Sequence, residues 1–301
     1  MAGAKVLKKR IGAVKNTRKI TRTMEMVSTA KAKRMVDRVN AARPYNEKIV
    51  EIMKSMESVV GEGAGVLPLL RQVEHPHRVA LLVVTANRGL CGGYNASVLR
   101  MARARLVEYQ KQGKEVQLFV IGKKGNSYFK FLKVPVKKVI TDVDDTFQYD
   151  QAKHLSDELI SGFAGAHFDR VEVISTVYYS SALQKPRLDV LLPVGAHTEE
   201  DEAELAKKKL TEPVNRATFL FEPAPAFILK RILPHVIRAT VFRKILESVT
   251  SEQIARRIAM KNATDNAGSM TKSLTRIYNR KRQAGITQEL AEIVSGADAI
   301  G

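Results

Sequence analysis

Apolar residues recur at intervals of three and four along both ends of the chain, over about residues 3–60 and again from about residue 224 onward. This spacing predicts a long amphipathic helix at each end. At ~1.5 Å per residue, the first helix would be roughly 80 Å long if it is continuous. No compact domain buries a helix of that length alone, so its apolar stripe requires another long helix. The pattern therefore predicts that the two terminal helices wind together as a coiled coil.

A few residues set the expected limits of these helices. Pro44 is a candidate kink in the first helix, and the glycine-rich run Gly61–Gly65 should end it. Pro234 should break the first turns of the second helix or restart it with proline in its first turn. The heptads are imperfect, because polar residues interrupt the stripes at Arg18, Lys31 and Asn262. This signal for a supercoil is weaker than that of a leucine zipper.

The middle of the chain, about residues 77–222, alternates short apolar runs with helical patterns. The expected strands lie in residues 78–86, 115–122, 134–140, 170–180 and 187–194, and the expected helices in 96–111 and 149–164. This alternation predicts an α/β domain with a parallel, doubly wound, Rossmann-like sheet that admits an antiparallel edge strand. We therefore expect three segments: an N-terminal helix 1–60, a central α/β domain 77–222, and a C-terminal helix 224–301. The acidic run 198–209 is expected to be a solvated excursion.

A glycine-rich turn follows the first strand, with Gly89, Gly92 and Gly93 leading into a helix. Such a turn can present backbone N–H groups and a helix N-terminus to a phosphate. However, G-x-x-G-G is not the G-x-G-x-x-G dinucleotide fingerprint, and no acidic residue ends the second strand to bind a ribose. A structural turn that needs glycine for positive φ or for close packing is favoured about two to one.

Other candidates for chemistry are sparse. Asp142, Asp144 and Asp145 could bind a cation but are better explained as a solvated loop, and Cys91 has no histidine nearby in sequence to activate it. The histidines are scattered, and only His75 and His77 form a thin metal candidate; the others are His154, His167, His197 and His235. These residues thus favour neither a catalytic residue nor a metal site, and a nucleotide at the glycine turn stays the less favoured alternative.

The net charge of +19 favours an anionic partner. A basic helical protein that binds nucleic acid is one alternative function, but the chain has no Trp and no recognised binding motif. A nucleotide-binding α/β enzyme is the other alternative, and it predicts that the isolated chain binds ATP or NAD. The first 24 residues carry eight Lys or Arg and no acid, as mitochondrial presequences do. An exposed basic helix face is the better explanation, because the pattern continues past any cleavage point.

Three stretches together resemble the gamma subunit of the rotary, F-type ATP synthase. They are RIGAVKNTRKITRTMEMVSTAKAKRM at Arg10–Met35, NRGLCGGYN at Asn87–Asn95, and the end of the chain from Ala255. In the last stretch, Ile286-Thr287-x-Glu289-x-x-Glu292 followed by Gly296-Ala297 is similar to the C-terminal signature of that family. The resemblance covers essentially the whole chain, in the right order.

This resemblance implies an antiparallel shaft of the terminal helices inside a ring of alpha and beta subunits, and an α/β foot domain near the c-ring and the epsilon subunit. It implies a non-catalytic chain without a nucleotide at the glycine turn, without nucleic acid, and with membrane contact only through partner subunits. By motif match, the residues that couple the shaft to the beta subunits are Met24, Arg256, Arg282, Gln283 and Thr287.

Two further expectations follow from the resemblance. The family typically has Ser-Asp before the Arg-Gly of the glycine turn, whereas Ala86-Asn87 stands here, so Asn87 must replace a charge with amide hydrogen bonds. Because Met1 directly precedes the first helical pattern, we expect a bacterial chain on the cytoplasmic face of the plasma (inner) membrane, bound peripherally within the complex.

Overall fold

The longest elements of the computed structural model are the helices at the two ends of the chain, α1 (Ala2–Val60) and α5 (Pro225–Asp298). The structure describes residues 2–60, 67–196 and 225–298. Two compact units emerge: residues 1–30 with 256–301, called here the two-helix unit, and residues 31–255, called the α/β unit. The predicted helix end at 61–65 and the acidic run 198–209 lie outside the described residues.

Pro234 lies inside α5, so the prediction that it breaks or restarts the helix is wrong. A proline in a helix interior costs about 3 kcal/mol through the missing N–H and the ring clash. The residues around it offset this cost, because Leu229, Leu233 and Ile237 are almost completely buried. Packing therefore outweighs the local preference. Pro44 likewise lies within α1.

The α/β unit contains the shorter elements. In chain order these are a 3₁₀ turn (Pro68–Leu70), β1 (Arg78–Val84), α2 (Tyr94–Lys111), β2 (Glu115–Ile121), α3 (Lys123–Phe131), β3 (Val136–Ile140), α4 (Tyr149–Ala164), β4 (Arg170–Tyr178) and β5 (Gln184–Leu192).

The five strands form one sheet in the order β3-β2-β1-β4-β5. The first four run parallel, and β5 pairs with β4 in the antiparallel sense. In the centre of the sheet, Leu82 lies opposite Phe119 of β2 and Val173 of β4. The predicted α/β class, with its doubly wound sheet, antiparallel edge strand and long terminal helices, is confirmed.

Helices cover both faces of this sheet. One face packs its apolar side chains, such as Leu81 and Val83, against α2 and α3. The other face, with Leu82 and Phe119, packs against α4 and against the parts of α1 and α5 that belong to the α/β unit. The strands are buried on both sides, which explains why β1 is a continuous apolar run rather than an alternating one.

One helix of the domain is absent from the sequence prediction. α3 (Lys123–Phe131) follows β2 after a single residue, Gly122, whose φ is +96°. A Cβ at this glycine would lie 2.3 Å from the carbonyl oxygen of Thr85, so only glycine fits. In contrast, α4 (Tyr149–Ala164) has the bounds that its periodicity predicts.

Candidate functional site

The glycine-rich turn lies where a doubly wound sheet ordinarily binds a ligand. The chain leaves β1 for β2 on one side and reaches β4 on the other, so the order of strands reverses at β1. In such sheets the crevice outside the carboxyl ends of the strands, at this switch point, is the usual nucleotide site. The turn that joins β1 to α2 occupies that position, which makes it the first site to examine.

The backbone of the turn needs glycine at one of the three predicted positions. Gly92 has φ +57°, whereas Gly93 has φ −82° as the residue before α2. A Cβ at Gly89 would only touch the Lys124 side chain at an ordinary 3.6 Å. Leu90 also has a positive φ of 62° and is largely exposed. The turn is therefore strained at a non-glycine residue as well.

Hydrogen bonds within the turn and the start of α2 satisfy the polar groups there. The N–H of Ala86 donates to Oδ1 of Asn95 at 2.9 Å, and Nδ2 of Asn95 donates to Sγ of Cys91 at 3.2 Å. Cys91 is buried and free of a disulfide. These contacts close the turn on itself.

The crevice at the switch point is filled by α5. Tyr94, the first residue of α2, is buried together with Ala86 and Cys91, and Ala255 of α5 packs against this cluster. Burial, and then the nearby charge of Glu252, raise the pKa of the Tyr94 hydroxyl above its ordinary value. Tyr94 and Ala255 of α5 thus pack against the turn at the place where a nucleotide would bind, so the geometry favours a structural turn.

Hydrogen bonds continue this packing from α5 to the sheet. The N–H of Thr176 in β4 donates to Oγ of Ser248 at 3.0 Å. Both residues are buried, and they lie next to the Tyr94 hydroxyl. The sequence does not predict this polar contact, because Ser248 lies in an amphipathic helix pattern with no motif around it.

Asn87 ties three segments together, as an amide can and a carboxylate cannot. Its Nδ2 donates to the carbonyl oxygens of Thr141 and Val143, each at 2.8 Å, and its Oδ1 accepts from the N–H of Lys123 at 3.1 Å. An aspartate could accept from Lys123 but could donate to neither carbonyl. The amide therefore has a specific role in joining the turn, the start of α3 and the loop after β3.

The acidic cluster after β3 binds protein groups of the chain itself. Asp145 forms an ion pair with Lys31 of α1 at 2.6 Å, and Asp144 accepts from the Thr146 N–H and hydroxyl. Asp142 accepts from the amide of Gln151. The carboxylates that the sequence offered to a cation thus hold the loop and dock it on α1.

The histidines are dispersed in the structure as they are in the sequence. The backbone N–H of His77 donates to Asp169, and His197 lies outside the described residues. Within residues 2–60, 67–196 and 225–298, no three His, Cys, Asp or Glu side chains come close enough to hold a metal ion.

The two-helix unit is antiparallel, and hydroxyl groups form part of its seam. Oγ1 of Thr21 and Oγ1 of Thr264 are 2.9 Å apart, and a Cβ at Gly268 would lie 3.5 Å from the Arg18 guanidinium. A lower residue number in α1 thus pairs with a higher one in α5, so the two helices run in opposite directions, as the resemblance implies. Small or polar residues thus occupy positions where a zipper would have leucine.

The end of α5 extends past the beginning of α1. Since Thr21 faces Thr264, Ala2 lies opposite roughly residue 283, and the rest of α5 has no α1 residues beside it. An apolar stripe follows on this overhang, between 51% and 72% exposed. We call it the α5 tip stripe; its members are Ile286, Leu290, Ile293 and Val294.

The predicted contact residues are distributed over the two-helix unit. Arg282, Gln283 and Thr287 are exposed near the beginning of the overhang, and the Thr287 hydroxyl donates to the carbonyl of Gln283 at 3.0 Å. Met24 is half-buried, whereas Arg256 is only 7% exposed. The structure therefore presents three of the five to a partner and packs Arg256 within the chain.

No helix of the described residues is long and apolar enough to cross a bilayer.

Comparison with known proteins gives a consistent result over the whole chain. The family described as ATP synthase matches residues 3–300. The ATP synthase gamma chain of Leptospira biflexa serovar Patoc is 48% identical over 302 residues, which cover 100% of both chains. That of Gemmatimonas aurantiaca is 41% identical over 300 residues, covering 100% of this chain and 99% of the relative. That of Paracoccus denitrificans is 39% identical over 303 residues, covering 100% of each.

Solved structures with the same fold include chains of two mitochondrial ATP synthases. A chain of the OSCP/F1/c-ring assembly of Euglena gracilis superposes with a TM-score of 0.67 at 18% identity, covering 99% of this chain and 95% of its own length. A chain of the central stalk/c-ring of Tetrahymena thermophila gives a TM-score of 0.58 at 22% identity, covering 81% and 99%. At these identities the likeness establishes the fold.

Proposed function

The chain belongs to the ATP synthase gamma chain family, and from that membership we propose that it is the central rotor shaft of an F-type ATP synthase. In this role it couples proton-driven rotation of a c-ring to ATP synthesis at catalytic sites on the beta subunits. Its partners are the alpha and beta subunits, the epsilon subunit and the c-ring. The observation that carries the proposal is the match to gamma chains over the full length of both proteins.

The chain is a subunit of the complex, and we propose that it catalyses nothing itself. The glycine-rich turn is the one place where a doubly wound sheet of this order would hold a nucleotide. Tyr94 and α5 occupy that crevice, which supports a structural role for the turn. As part of this proposal we keep the domain bounds that the sequence predicts, which are shaft segments 1–60 and 224–301 and a foot domain 77–222.

The exposure of the α5 tip stripe is consistent with a shaft that partner subunits surround. Its four apolar side chains are more than half exposed on a helix without a neighbour. Burying such side chains gains about 1.5–3 kcal/mol each relative to exposure. A contiguous exposed apolar stripe of this kind marks a surface that a partner covers, and a ring of alpha and beta subunits would enclose it on all sides.

Charge supports the same arrangement along α1. Residues 1–60 carry 15 Lys or Arg and 5 Asp or Glu, a balance of +10. A rotating shaft requires attraction to the acidic loops of the beta subunits without a deep minimum at any one angle. Exposed ion pairs are worth about 0–1 kcal/mol each and so suit contacts that form and break repeatedly.

The predicted coupling residues divide into two kinds. Arg282, Gln283 and Thr287 are exposed and would touch the ring directly. Arg256 is buried within the chain, so it would act by holding the helix in place rather than by reaching a beta subunit. Met24, which is half-buried, would serve both purposes.

The mechanism follows from the asymmetry of the shaft. At one angle of the shaft α1 faces a given beta subunit, and at another angle α5 faces it. Contacts that differ in strength between the open and closed forms of a catalytic site shift the population of those forms. Rotation by the c-ring changes which subunit receives which contact. The complex would lie at the cytoplasmic face of a bacterial plasma membrane, with this chain bound peripherally.

Affinity purification of the tagged chain from native membranes tests the proposal. Mass spectrometry should find alpha, beta and epsilon, with three alpha and three beta subunits per tagged chain, and ATPase activity only in that complex. A chain recovered alone that binds ATP or NAD would contradict the rotor assignment and support the enzyme alternative.

Replacement of Met24 by Lys tests the coupling role. The added ammonium should form an ion pair with a beta-subunit carboxylate and resist rotation, so proton pumping by membrane vesicles should fall while ATP hydrolysis continues. Val107→Lys is the control, because Val107 is exposed on α2, outside the two-helix unit. Equal pumping by the Met24 variant and the wild type would remove Met24 from the coupling residues.

A further inference from the structure

The loop between β3 and α4, residues 141–148, contacts both terminal helices within the α/β unit. We call this segment the bridging loop. Its Asp145 forms an ion pair with Lys31 of α1, and its Phe147 ring stacks on the Phe242 ring of α5 with the ring centroids 5.9 Å apart. The bridging loop follows β3, which lies at one edge of the sheet. It therefore joins both long helices to that edge of the domain.

Three cations on one side of α1 face the bridging loop. Lys31, Arg34 and Arg38 recur at intervals of three and four residues, which places them on the same face of the helix. Lys31 lies 2.6 Å from Oδ1 of Asp145, and Arg34 lies 4.0 Å from Oδ2. Arg38 donates to the backbone carbonyl oxygens of Asp145, at 2.9 Å, and of Phe147. The lysine that interrupts the apolar stripe of α1 thus has a defined partner.

The bridging loop is itself held in one conformation by contacts away from α1. Nδ2 of Asn87 donates to the carbonyl oxygens of Thr141 and Val143, each at 2.8 Å. The Asp144 carboxylate accepts two hydrogen bonds from within the loop, at 2.7 and 2.6 Å. Because the backbone of the loop is fixed, the Asp145 side chain, which is 13% exposed, meets α1 at a defined place.

α1 has less apolar packing in this unit than α5 has. Among the residues that the structure describes, the core beside α4 includes nine buried apolar side chains of α5 but only three of α1, which are Ala32, Met35 and Val39. Apolar packing is also non-directional, whereas hydrogen bonds and ion pairs require particular distances and angles. The polar contacts with the bridging loop therefore add the directional resistance to rotation of α1 about its own axis.

Both terminal helices continue from the α/β unit into the two-helix unit without a break. α1 passes from one unit to the other between residues 30 and 31, and α5 between residues 255 and 256. In a rotor, a torque that acts on the α/β domain reaches these helices through side-chain contacts in that domain. α5 has a broad apolar core for this purpose, and α1 depends more on the bridging loop.

We propose that the bridging loop is the joint through which the α/β domain turns α1, and that Asp145 is the positioning residue of this joint. The inference rests on the rotor role proposed above. With the joint closed, α1 turns together with the domain. When the ion pair of Asp145 is lost, α1 lags behind the domain under load, and part of each turn fails to change the contacts with the beta subunits. The expected defect is a loss of coupling in a complex that is fully assembled.

Proton pumping by inverted membrane vesicles that contain the complex tests the joint. Asp145→Asn keeps the shape of the side chain and removes its charge, so the rate of proton uptake divided by the rate of ATP hydrolysis should fall about fivefold. Glu158→Gln is the matched control, because it breaks a lysine–carboxylate pair, with Lys138 of β3, that involves neither terminal helix. The control should change the ratio by less than about twofold.

Lys31→Met tests whether Asp145 acts through α1. The single variant should lose as much coupling as Asp145→Asn does, and the double variant should lose no more, because both changes remove the same interaction. Losses that multiply in the double variant would show that the two residues act independently, which would overturn the joint. An unchanged pumping ratio in both single variants would overturn it as well.

Recovery of partner subunits and urea unfolding exclude a merely structural role. Each tagged variant should recover alpha, beta and epsilon as the wild type does, and the urea midpoint of the isolated chain should be nearly unchanged. Loss of these subunits, or a much lower midpoint, would assign Asp145 to assembly or stability and contradict the proposal. Failure of the wild-type chain to recover alpha and beta would instead refute the rotor assignment, and it is seen in a separate sample.

Discussion

The α/β unit and the two-helix unit contain the same kinds of residues but bury different ones. In the α/β unit, large apolar side chains such as Leu82, Phe119 and Phe163 are fully buried on both faces of the sheet. In the two-helix unit, the buried positions include Thr21 and Thr264, while apolar residues of the α5 tip stripe are exposed. The first unit thus buries most of its large apolar side chains, whereas the second leaves an apolar stripe exposed.

The difference explains how one chain can be both a stable domain and a moving part. A core at native packing density resists any change of volume or shape. A seam of hydroxyls and small residues buries less apolar surface and so contributes less stabilising free energy per residue. The stability of the two-helix unit therefore depends more on what binds to it. Substitutions should therefore affect unfolding strongly in the α/β unit and weakly in the two-helix unit.

The largest effect on unfolding is expected for Gly122→Ala. The new Cβ would lie 2.3 Å from the carbonyl oxygen of Thr85, at φ +96°. Strain and overpacking together should lower the free energy of unfolding by about 2–5 kcal/mol. Urea denaturation followed by circular dichroism measures this.

Gly113→Ala is the control, since Gly113 has φ +67° but open space around it. It should cost only about 1–2 kcal/mol, from the backbone alone. A similar cost for both variants would mean that the contact with Thr85 relaxes easily. The α/β unit would then be less tightly packed than its buried core indicates.

The next effect concerns acid. Hydrogen bonds from the Arg78 guanidinium, at 2.7 Å from Oδ1, and from the N–H groups of His77 and Arg78 lower the pKa of Asp169 to about 2. Because the folded pKa lies below the unfolded value near 3.8, this stabilisation is present above pH 4 and is lost as the pH falls through about 2. Its size is about 1–2 kcal/mol, discounted for the exposed guanidinium.

Asp169→Asn isolates this contribution. Urea midpoints of the variant and the wild type should differ near neutral pH and converge near pH 2. A constant difference across that range would assign the loss to packing rather than to the charge of Asp169.

The seam of the two-helix unit should respond more weakly and in a coupled manner. Thr21→Val or Thr264→Val removes one hydroxyl of the pair and should cost no more than about 1 kcal/mol. The double variant replaces both with apolar groups of the same shape and should be as stable as the wild type or more so. A double-mutant cycle in urea measures the coupling, and additive losses would show that the hydroxyls do not interact.

The smallest effect on the isolated chain is expected at the α5 tip stripe. Leu290→Ser removes a largely exposed side chain that has no α1 residue beside it and should change the free energy of unfolding by less than about 0.5 kcal/mol. The same variant should reduce recovery of alpha and beta subunits with the tagged chain, if the stripe makes the contact that we propose. A large loss of stability in the isolated chain would mean that the stripe is already covered within the chain.

Much of the fold follows from periodicity. α4 is found at the predicted residues because its apolar positions recur at helical spacing up to Gly165, and the strands are found because each is a continuous apolar run between turns. α3 could not be predicted in this manner. Its nine residues include only one fully buried large side chain, Phe129, so its pattern lacks a repeat.

Tertiary contacts determine the features of the fold that periodicity does not predict. The continuity of α5 through Pro234 depends on burial of the leucines around it. The three hydrogen bonds of Asn87 join segments that are up to 56 residues apart in sequence. The overhang of α5 depends on the register between Thr21 and Thr264, which imperfect heptads do not specify. The roles of Met24, Arg256, Arg282, Gln283 and Thr287 remain predictions from the family resemblance.

The packing of α5 into the switch-point crevice has a consequence for synthesis on the ribosome. β1 to β5 are complete at Leu192, but Ser248 and Ala255, which pack beside Tyr94, are translated more than fifty residues later. At about 5–20 residues per second, the nascent sheet waits on the order of 3–13 s with that face open. During this interval side chains that α5 later covers, such as Leu82 and Phe119, are not yet packed against it, and the last helix made is the one that closes the domain.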